Sequence, residues 1–330
     1  MVTVEDQSSE KRGWMRQSYR QARRYRSMMF VPGQKLDWMR KAPQYGPDAL
    51  VFDLEDGVPV PLKPSAREHV AEALTELKDE PVGRFVRVNG WRTDGRLLDD
   101  LMVVVRDGLD GVVLPKTEDV EDVSGLDLLL EELEASRGLP LGRIEILPLR
   151  ETARAMYRVH EICLASERVK RVSGVGGSPV PGGDVTRELG THPSDPESDV
   201  EIYLTGGSVV AARAAGVTEI LAGSTTHVGD TDHMRRMAQR GRALGATGAF
   251  CFHPSQVPVV NEVFAPSMAE ILEAQEILEV MAEGISQGDA AIRYNNRFVD
   301  YAHVRESREL LAQARAVGLD VENIAGTSPP

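Results

Sequence analysis

The stretch Ala49-Leu50-Val51-Phe52-Asp53-Leu54-Glu55-Asp56 runs from four consecutive apolar residues into three carboxylates within four positions. After it, 63–77 carries the apolar spacing of a helix, and a short apolar run followed by a helical segment is the sequence form of one βα unit. Working outward, the same alternation covers most of the chain. Apolar or β-branched runs lie at 28–31, 49–53, 84–89, 111–115, 144–149, 169–174, 219–222 and 249–253, with helix-period segments at 63–77, 95–107, 119–136, 152–165, 201–215 and 232–244. Eight strands, most with a helix behind them, predict a closed (β/α)8 TIM barrel of the α/β class, because an open doubly wound sheet more often has five or six. The barrel is expected over 26–266, after an arm at 1–25. A helical extension or lid follows at 267–330, with helix-forming sequence at 270–283 and 304–316 and a frayed, disordered tail at 322–330.

The 330 residues carry a formal charge of -13, so no global positive field draws a nucleic-acid backbone, and nucleic acid is not an expected partner. The two cysteines, Cys163 and Cys251, are far apart and in apolar surroundings, which suits free buried thiols rather than a disulfide framework or a metal site. No run approaches the roughly 18–20 apolar residues of a membrane span, and charges occupy the place of a signal peptide's apolar segment. No membrane and a cytoplasmic location are expected. The arm is locally basic through Lys11, Arg12, Arg16, Arg20, Arg23 and Arg24, with Trp14, Tyr19 and Tyr25 interleaved. Packing on the barrel or on a neighbouring subunit suits this mixture better than capture of an anionic partner, though basic segments serve both.

In such a barrel the chemistry stands at the C-terminal ends of the strands. Those positions are loaded here. Asp53, Glu55 and Asp56 follow the second run, Arg87 and Asn89 close the third, Lys116 follows the fourth, and Glu151 the fifth. Asp184 ends a Gly-rich loop after the sixth, Ser224, Thr225, Thr226 and His227 follow the seventh, and His253, Ser255 and Gln256 the eighth. Several carboxylates on one mouth repel each other unless a cation sits among them. Oxygen-only donors favour Mg²⁺, with Mn²⁺ second.

Plainer readings compete. Residues 53–56 alone could be a solvated acidic turn. His227, Asp230, Asp232 and His233 have metal-like composition, but a polar loop with an Asp at a helix start is the better reading. Ser255 has no evident general base, so no nucleophilic triad is expected. Lys116 balances acidic neighbours without needing to form a Schiff base. The loop at 174–183 lacks the third Gly spacing of a dinucleotide fingerprint and follows a late strand.

Several blocks together carry a more specific signal. They are Arg26-Ser27-Met28-Met29-Phe30-Val31-Pro32-Gly33, Asp53-Leu54-Glu55-Asp56-Gly57-Val58 with Lys63 and Ala66-Arg67, Val86-Arg87-Val88-Asn89, Leu114-Pro115-Lys116, Glu151-Thr152-Ala153, and Phe252-His253-Pro254-Ser255-Gln256 with Phe264-Ala265-Pro266-Ser267. In this order, over roughly 26–305, the chain resembles the citrate lyase β-subunit-like, or HpcH/HpaI aldolase, superfamily, which includes malyl-CoA and citramalyl-CoA lyases. The resemblance implies that Glu151 is a metal ligand and that an Asp after the sixth strand is a second. Asp184 is the choice, with Glu188 as the alternative. It further implies that Arg87 grips a substrate carboxylate, with Arg26 and Lys116 also in substrate binding, and that Glu55 and Asp56 act in catalysis from outside the metal's direct ligands, holding its waters. Val299-Asp300-Tyr301-Ala302 resembles a family motif whose Asp acts on the neighbouring subunit's substrate, making Asp300 the expected acid/base. Relatives place the second ligand soon after a Phe-Gly, whereas this loop is longer and richer in Gly and Pro, and an Asp at 184 also suits a helix cap.

The implied activity is a Mg²⁺-dependent carbon–carbon lyase that cleaves or forms a small β-hydroxyacyl-CoA thioester, giving a 2-oxo acid and an acyl-CoA. A metal-dependent aldolase of free pyruvate-like acids and a β-like subunit working only within a citrate lyase complex are the alternatives. A trimer or hexamer is implied by a residue acting in trans.

Overall fold

The computed structural model describes residues 22–93, 96–173, 184–190, 199–319 and 321. All eight expected runs contribute parallel strands: β1 Ser27–Pro32, β2 Ala49–Asp53, β3 Gly83–Arg87, β4 Gly111–Leu114, β5 Glu145–Pro148, β6 Arg171–Ser173, β7 Glu219–Ala222 and β8 Gly248–Cys251. Their order, β5-β4-β3-β2-β1-β8-β7-β6, wraps the sheet until β5 and β6 face each other. There the backbone N–H of Ile146 donates to the carbonyl of Arg168 at 3.0 Å. The result is a nearly closed (β/α)8 barrel.

Side chains on successive strand residues point to opposite faces, and the burial follows that alternation. Met28, Ala49, Val51, Phe85, Val113, Leu147, Leu149, Leu221 and Phe250 form one cluster, the filling of the barrel. Met29, Val31, Leu50, Phe52, Val86, Val112 and Ile146 belong to a second cluster under the helices. Tyr25, from the end of the arm, joins the inner cluster and stands edge-on to Phe85 with centroids 5.8 Å apart. The Arg171 guanidinium lies 4.4 Å from the Tyr25 ring. A Cβ on Gly83 would come within 2.6 Å of that ring, so a side chain there would displace the plug. Burial raises the Tyr25 hydroxyl to about 12. Residues 1–21 of the arm lie outside the described residues.

The surrounding helices are α1 Leu36–Lys41, α2 Lys63–Glu76, α3 Leu97–Val104, α4 Val120–Ser136, α5 Ala153–Tyr157, α6 Val159–Leu164, α7 Asp184–Leu189, α8 Asp199–Ala214, α9 Thr231–Ala243 and α10 Val257–Phe264. Asp119 caps α4 in a reciprocal box with Asp122, and Thr152 Oγ1 accepts the Ala155 N–H to start α5, each satisfying donors that a helix N-terminus leaves free. The single helix expected over 152–165 is two. Arg158, at φ -105° and ψ 22°, leaves the helical region between α5 and α6, and its guanidinium joins that of Arg154 on Asp119.

Beyond the barrel, α11 Met268–Ser286 packs against α12 Tyr301–Ala316, and a hairpin of β9 Ala291–Tyr294 and β10 Arg297–Asp300 connects them. These elements have their own apolar clusters, one around Ile271, Leu311 and Ala314 and one around Ile277, Met281, Val299 and Val304. The hairpin is absent from the sequence expectation. Its turn is Asn295-Asn296, both at positive φ (46° and 61°), as a two-residue turn matching strand twist requires.

Candidate active site

Strand register builds the site. Parallel pairing places Pro32 opposite Asp53 and Asp53 opposite Arg87, at the C-terminal rim. The inward series Ala49, Val51 continues to Asp53, Phe85 continues to Arg87, and Leu147, Leu149 continues to Glu151. The alternation that fills the barrel with apolar side chains thus delivers charged ones into its mouth.

Arg87 donates from Nε and Nη2 to the two oxygens of Asp53 at 2.7 and 2.6 Å, and its Nη1 lies 3.1 Å from Glu55 Oε2. A guanidinium has five N–H groups, so about two remain for another partner. Its carbon also lies 5.1 Å from the Phe30 ring centroid. Asp53 further accepts the backbone N–H groups of Glu55 (2.9 Å) and Gly57 (3.0 Å). A Cβ at Gly57 would stand 2.3 Å from Asp53 Oδ2, which makes glycine the residue that allows this turn.

Lys116, at φ 49°, is a non-glycine residue in the left-handed region, where strain tends to accompany function. Its Nζ donates to Glu55 Oε1 (2.7 Å) and Asp56 Oδ2 (3.1 Å), and its backbone N–H donates to Glu151 Oε2 (2.9 Å). The structure therefore gathers Glu55, Asp56, Arg87, Lys116 and Glu151 on one rim.

Four carboxylates (Asp53, Glu55, Asp56 and Glu151) against two cations (Arg87 and Lys116) leave a formal excess of two negative charges here. Burial and the neighbouring cations set the protonation equilibria of these groups. Burial pushes Glu55 up, against the pull of Arg87 and Lys116, and burial pushes Glu151 up despite the Lys116 N–H. Partial burial works to raise Asp56, but its bond to Lys116, the charges of Lys116 and Arg87 and its bond to Glu55 together hold it low. Although burial disfavours their charge, Arg87 is held high by Asp53, and Lys116 by Glu55. An all-oxygen donor set with two charges in excess matches a divalent hard cation, so the residues present fit Mg²⁺.

Beneath this rim is a buried network to which the sequence reading gave no role, although it named Asn89 at the third strand's end and Lys63 and Arg67 within a family block. Lys63 Nζ donates to the carbonyls of Leu54 (3.0 Å) and Glu55 (3.1 Å) and to Asn89 Oδ1. Asn89 donates its backbone N–H and its Nδ2 to Asp100, both at 2.7 Å, and Asp100 pairs with Arg67. The network fixes the backbone that carries Glu55. Its sequence signal was available, since Lys63, Arg67, Asn89 and Asp100 are polar residues on otherwise apolar, inward helix or strand positions.

The other expected residues lie elsewhere. Arg26 precedes β1, at the opposite end of the strand from the rim, and forks onto Asp48 at 2.8 Å, so it is not brought to the mouth. Asp184 is the first residue of α7, which packs beside α5; its side chain and the 174–183 approach lie outside the described residues. Glu188 is exposed. Among the described residues no three His, Cys, Asp or Glu side chains already surround one metal position. Asp300 caps α12, with Oδ1 accepting the Ala302 N–H at 2.9 Å and 3.0 Å from His303 Nδ1. The Ala302 N–H and His303 hold its carboxyl below the ordinary range. No described bond ties it to the mouth.

At the β7 and β8 exits the polar residues are structural. Asp230 Oδ1 accepts the His233 N–H at 2.8 Å at the start of α9. His253 accepts the Ser255 N–H at 3.2 Å, and Ser255 Oγ donates to the Val228 carbonyl at 2.7 Å. Between the β8 exit, β1 and α1 lies an aromatic cleft of about 410 Å³, lined by Phe30, Trp38, Lys41, Tyr45, Phe252 and His253. It shares Phe30 with Arg87.

Fold and rim together define a (β/α)8 barrel with a carboxylate- and guanidinium-lined mouth, and its relatives make it an enzyme of the lyase class. The chain belongs to the HpcH/HpaI aldolase/citrate lyase family, whose model matches residues 26–254. It is 31% identical over 291 residues to the citrate lyase subunit beta of Haemophilus influenzae, covering 88% of this chain and 97% of that protein. It is also 31% identical over 310 residues to the L-malyl-CoA/beta-methylmalyl-CoA lyase of Rhodobacter capsulatus, covering 89% and 95%. Among solved structures it is similar to the CitE protein of Mycobacterium tuberculosis in complex with magnesium, acetoacetate and coenzyme A. That match has TM-score 0.65 and 25% identity, covering 88% of this chain and 98% of that one.

Proposed function

We propose that the protein is a Mg²⁺-dependent carbon–carbon lyase that cleaves or forms a small β-hydroxyacyl-CoA thioester such as malyl-CoA or citramalyl-CoA, with a 2-oxo acid and an acyl-CoA on the other side of the reaction. The observation that carries this reading is the rim cluster, in which Arg87 keeps free N–H groups beside Glu151 amid two excess negative charges. The relatives' names support it: one is a malyl-CoA lyase, and the CitE structure holds magnesium, an oxo acid and coenzyme A.

Glu151 and Asp184 are the proposed ligands, with Glu55 and Asp56 beside them. When bound, the ion supplies Lewis-acid polarisation of substrate oxygens. Arg87 binds the substrate carboxylate, for which a planar fork is better suited than an ammonium. Asp300, held ionised by its cap, moves the α-carbon proton and reaches the mouth of a neighbouring chain in a trimer or hexamer. The aromatic cleft takes part of the CoA moiety, with Trp38 and Tyr45 as stacking faces and Lys41 near its phosphates.

The test is to incubate the purified protein with malyl-CoA and citramalyl-CoA, and separately with pyruvate plus an aldehyde, each with Mg²⁺ and with EDTA, following acyl-CoA and 2-oxo acid. CoA-ester cleavage that EDTA abolishes is expected. Turnover of free pyruvate alone would replace this reading with the aldolase one; in a further incubation with an acyl-carrier-protein thioester, turnover of that substrate alone would replace it with the complex-bound subunit.

A further inference from the structure

The seam between β5 and β6 is the one place where neighbouring barrel strands share no described ladder. At its mouth end the seam is spanned by a side chain. The backbone N–H of Arg150 donates to Ser173 Oγ (3.1 Å), which itself donates to the Pro148 carbonyl (3.3 Å). Arg150 Nη2 and Nε both donate to the Ser173 carbonyl, Nε at 2.7 Å, and Nη1 donates to Ser208 Oγ on α8 at 2.7 Å. Ser208 Oγ passes the chain on to the Leu204 carbonyl at 2.5 Å.

Arg150 is 2% exposed, and among the described residues no carboxylate pairs with it. Burying a guanidinium without a counter-charge is costly, and an apolar side chain would fill the same space more cheaply. What an apolar residue could not do is hold β6 and α8 at once through a rigid fork of donors. The next residue is Glu151, whose carboxylate accepts the Lys116 N–H from the β4 side at 2.9 Å. Glu151 is thus fixed from both flanks, by Lys116 directly and by Arg150 through the backbone they share.

We propose that Arg150 is a positioning residue, whose clamp on Ser173 and Ser208 sets the backbone at 150–151 and so aims Glu151 at a divalent cation. This rests on the reading of Glu151 as a ligand. The Mg²⁺ dissociation constant of the substrate-free protein, measured by calorimetric titration at 25 °C, tests it alongside the melting temperature. Removing a group that orients a ligand typically weakens metal binding about 10- to 100-fold; Arg150→Met is expected in that range. Arg150→Lys restores only part of the loss, since an ammonium lacks the fork. Ser208→Ala, a milder change, is expected to shift the constant in the same direction and carries the test by the same criterion if Arg150→Met does not fold.

A variant that melts lower but binds Mg²⁺ as tightly as the parent would show a packing role only and overturn the proposal. Glu151→Gln separates the two levels. If it binds Mg²⁺ like the parent, the ligand reading itself falls and the inference with it. If it binds weakly while Arg150→Met and Ser208→Ala bind normally, only the inference about Arg150 falls.

Discussion

Asp53 organises the rim by accepting from Arg87, Glu55 and Gly57 at once, so the guanidinium is presented rigidly. An ammonium at that position could not hold both Asp53 oxygens and still offer paired donors outward. Arg87→Lys is therefore expected to lower kcat/KM for the CoA ester by roughly 10- to 100-fold, the equivalent of about 1.5–3 kcal/mol for a hydrogen bond to a charged group, with the loss mainly in KM for substrate. Asp300 has two separable duties, capping α12 and moving a proton. Asn caps as well as Asp does. Asp300→Asn should thus keep the melting temperature within about 2 °C while turnover falls by roughly 10²-fold or more, the usual size of a general-acid/base contribution. Asp300→Ala should lose both. Unchanged turnover in the Asn variant would remove Asp300 from the chemistry. At this scale the sequence was legible where a residue's place depends only on following a strand: Glu55, Asp56, Arg87, Lys116 and Glu151 all converge. It misled for Arg26, whose block begins before β1 and so falls at the opposite rim. It placed Asn89 at a strand end and Lys63 within a family block without giving either a role, and passed over Asp100; their polarity at apolar-period positions marks them, but their partners are main-chain carbonyls and each other, which no local spacing encodes.

At the scale of elements, the connection from α4 into β5 depends on Glu134. Its carboxylate accepts the N–H groups of Gly142 (2.8 Å) and Ile144 (2.9 Å) and both Arg168 Nη atoms, at 2.8 and 2.7 Å. Burial alone would raise this carboxyl, but Arg168 and the two backbone donors hold it below the ordinary range. A depressed folded-state carboxyl adds stability that is fully present above the unfolded value, about 4.3, and is lost as pH falls through the lower folded value. In urea titrations Glu134→Gln should cost roughly 3 kcal/mol at pH 7, in the range for breaking a buried pair, and show a shallower loss of stability below about pH 4.3 than the parent. Parallel acid profiles for the two proteins would contradict this. The eight strands were readable as elements because each is a short apolar run bounded by polar residues. The break at Arg158 and the hairpin at 291–300 were not read. The first depends on a tertiary partner, Asp119, while the second had a local signal in Asn295-Asn296 flanked by alternating residues.

At the scale of the whole molecule, the barrel and the pair α11–α12 bury separate apolar clusters, and Asp300 stands at the junction of hairpin and helix without a described bond to its own barrel mouth. The role proposed for Asp300 requires several copies, each lending its C-terminal elements to a neighbour. The claim on which the account depends most is that the acidic rim at the ends of β2 to β5 receives one divalent ion and a 2-oxo acid together. A crystal structure of the protein with Mg²⁺ and pyruvate tests it most directly. The expected result is an ion ligated by Glu151 and Asp184, with the pyruvate carboxylate held by Arg87. An ion bound at the β7–β8 exits near His227 and His233, or a pyruvate that leaves Arg87 engaged by Asp53 and Glu55 alone, would contradict it.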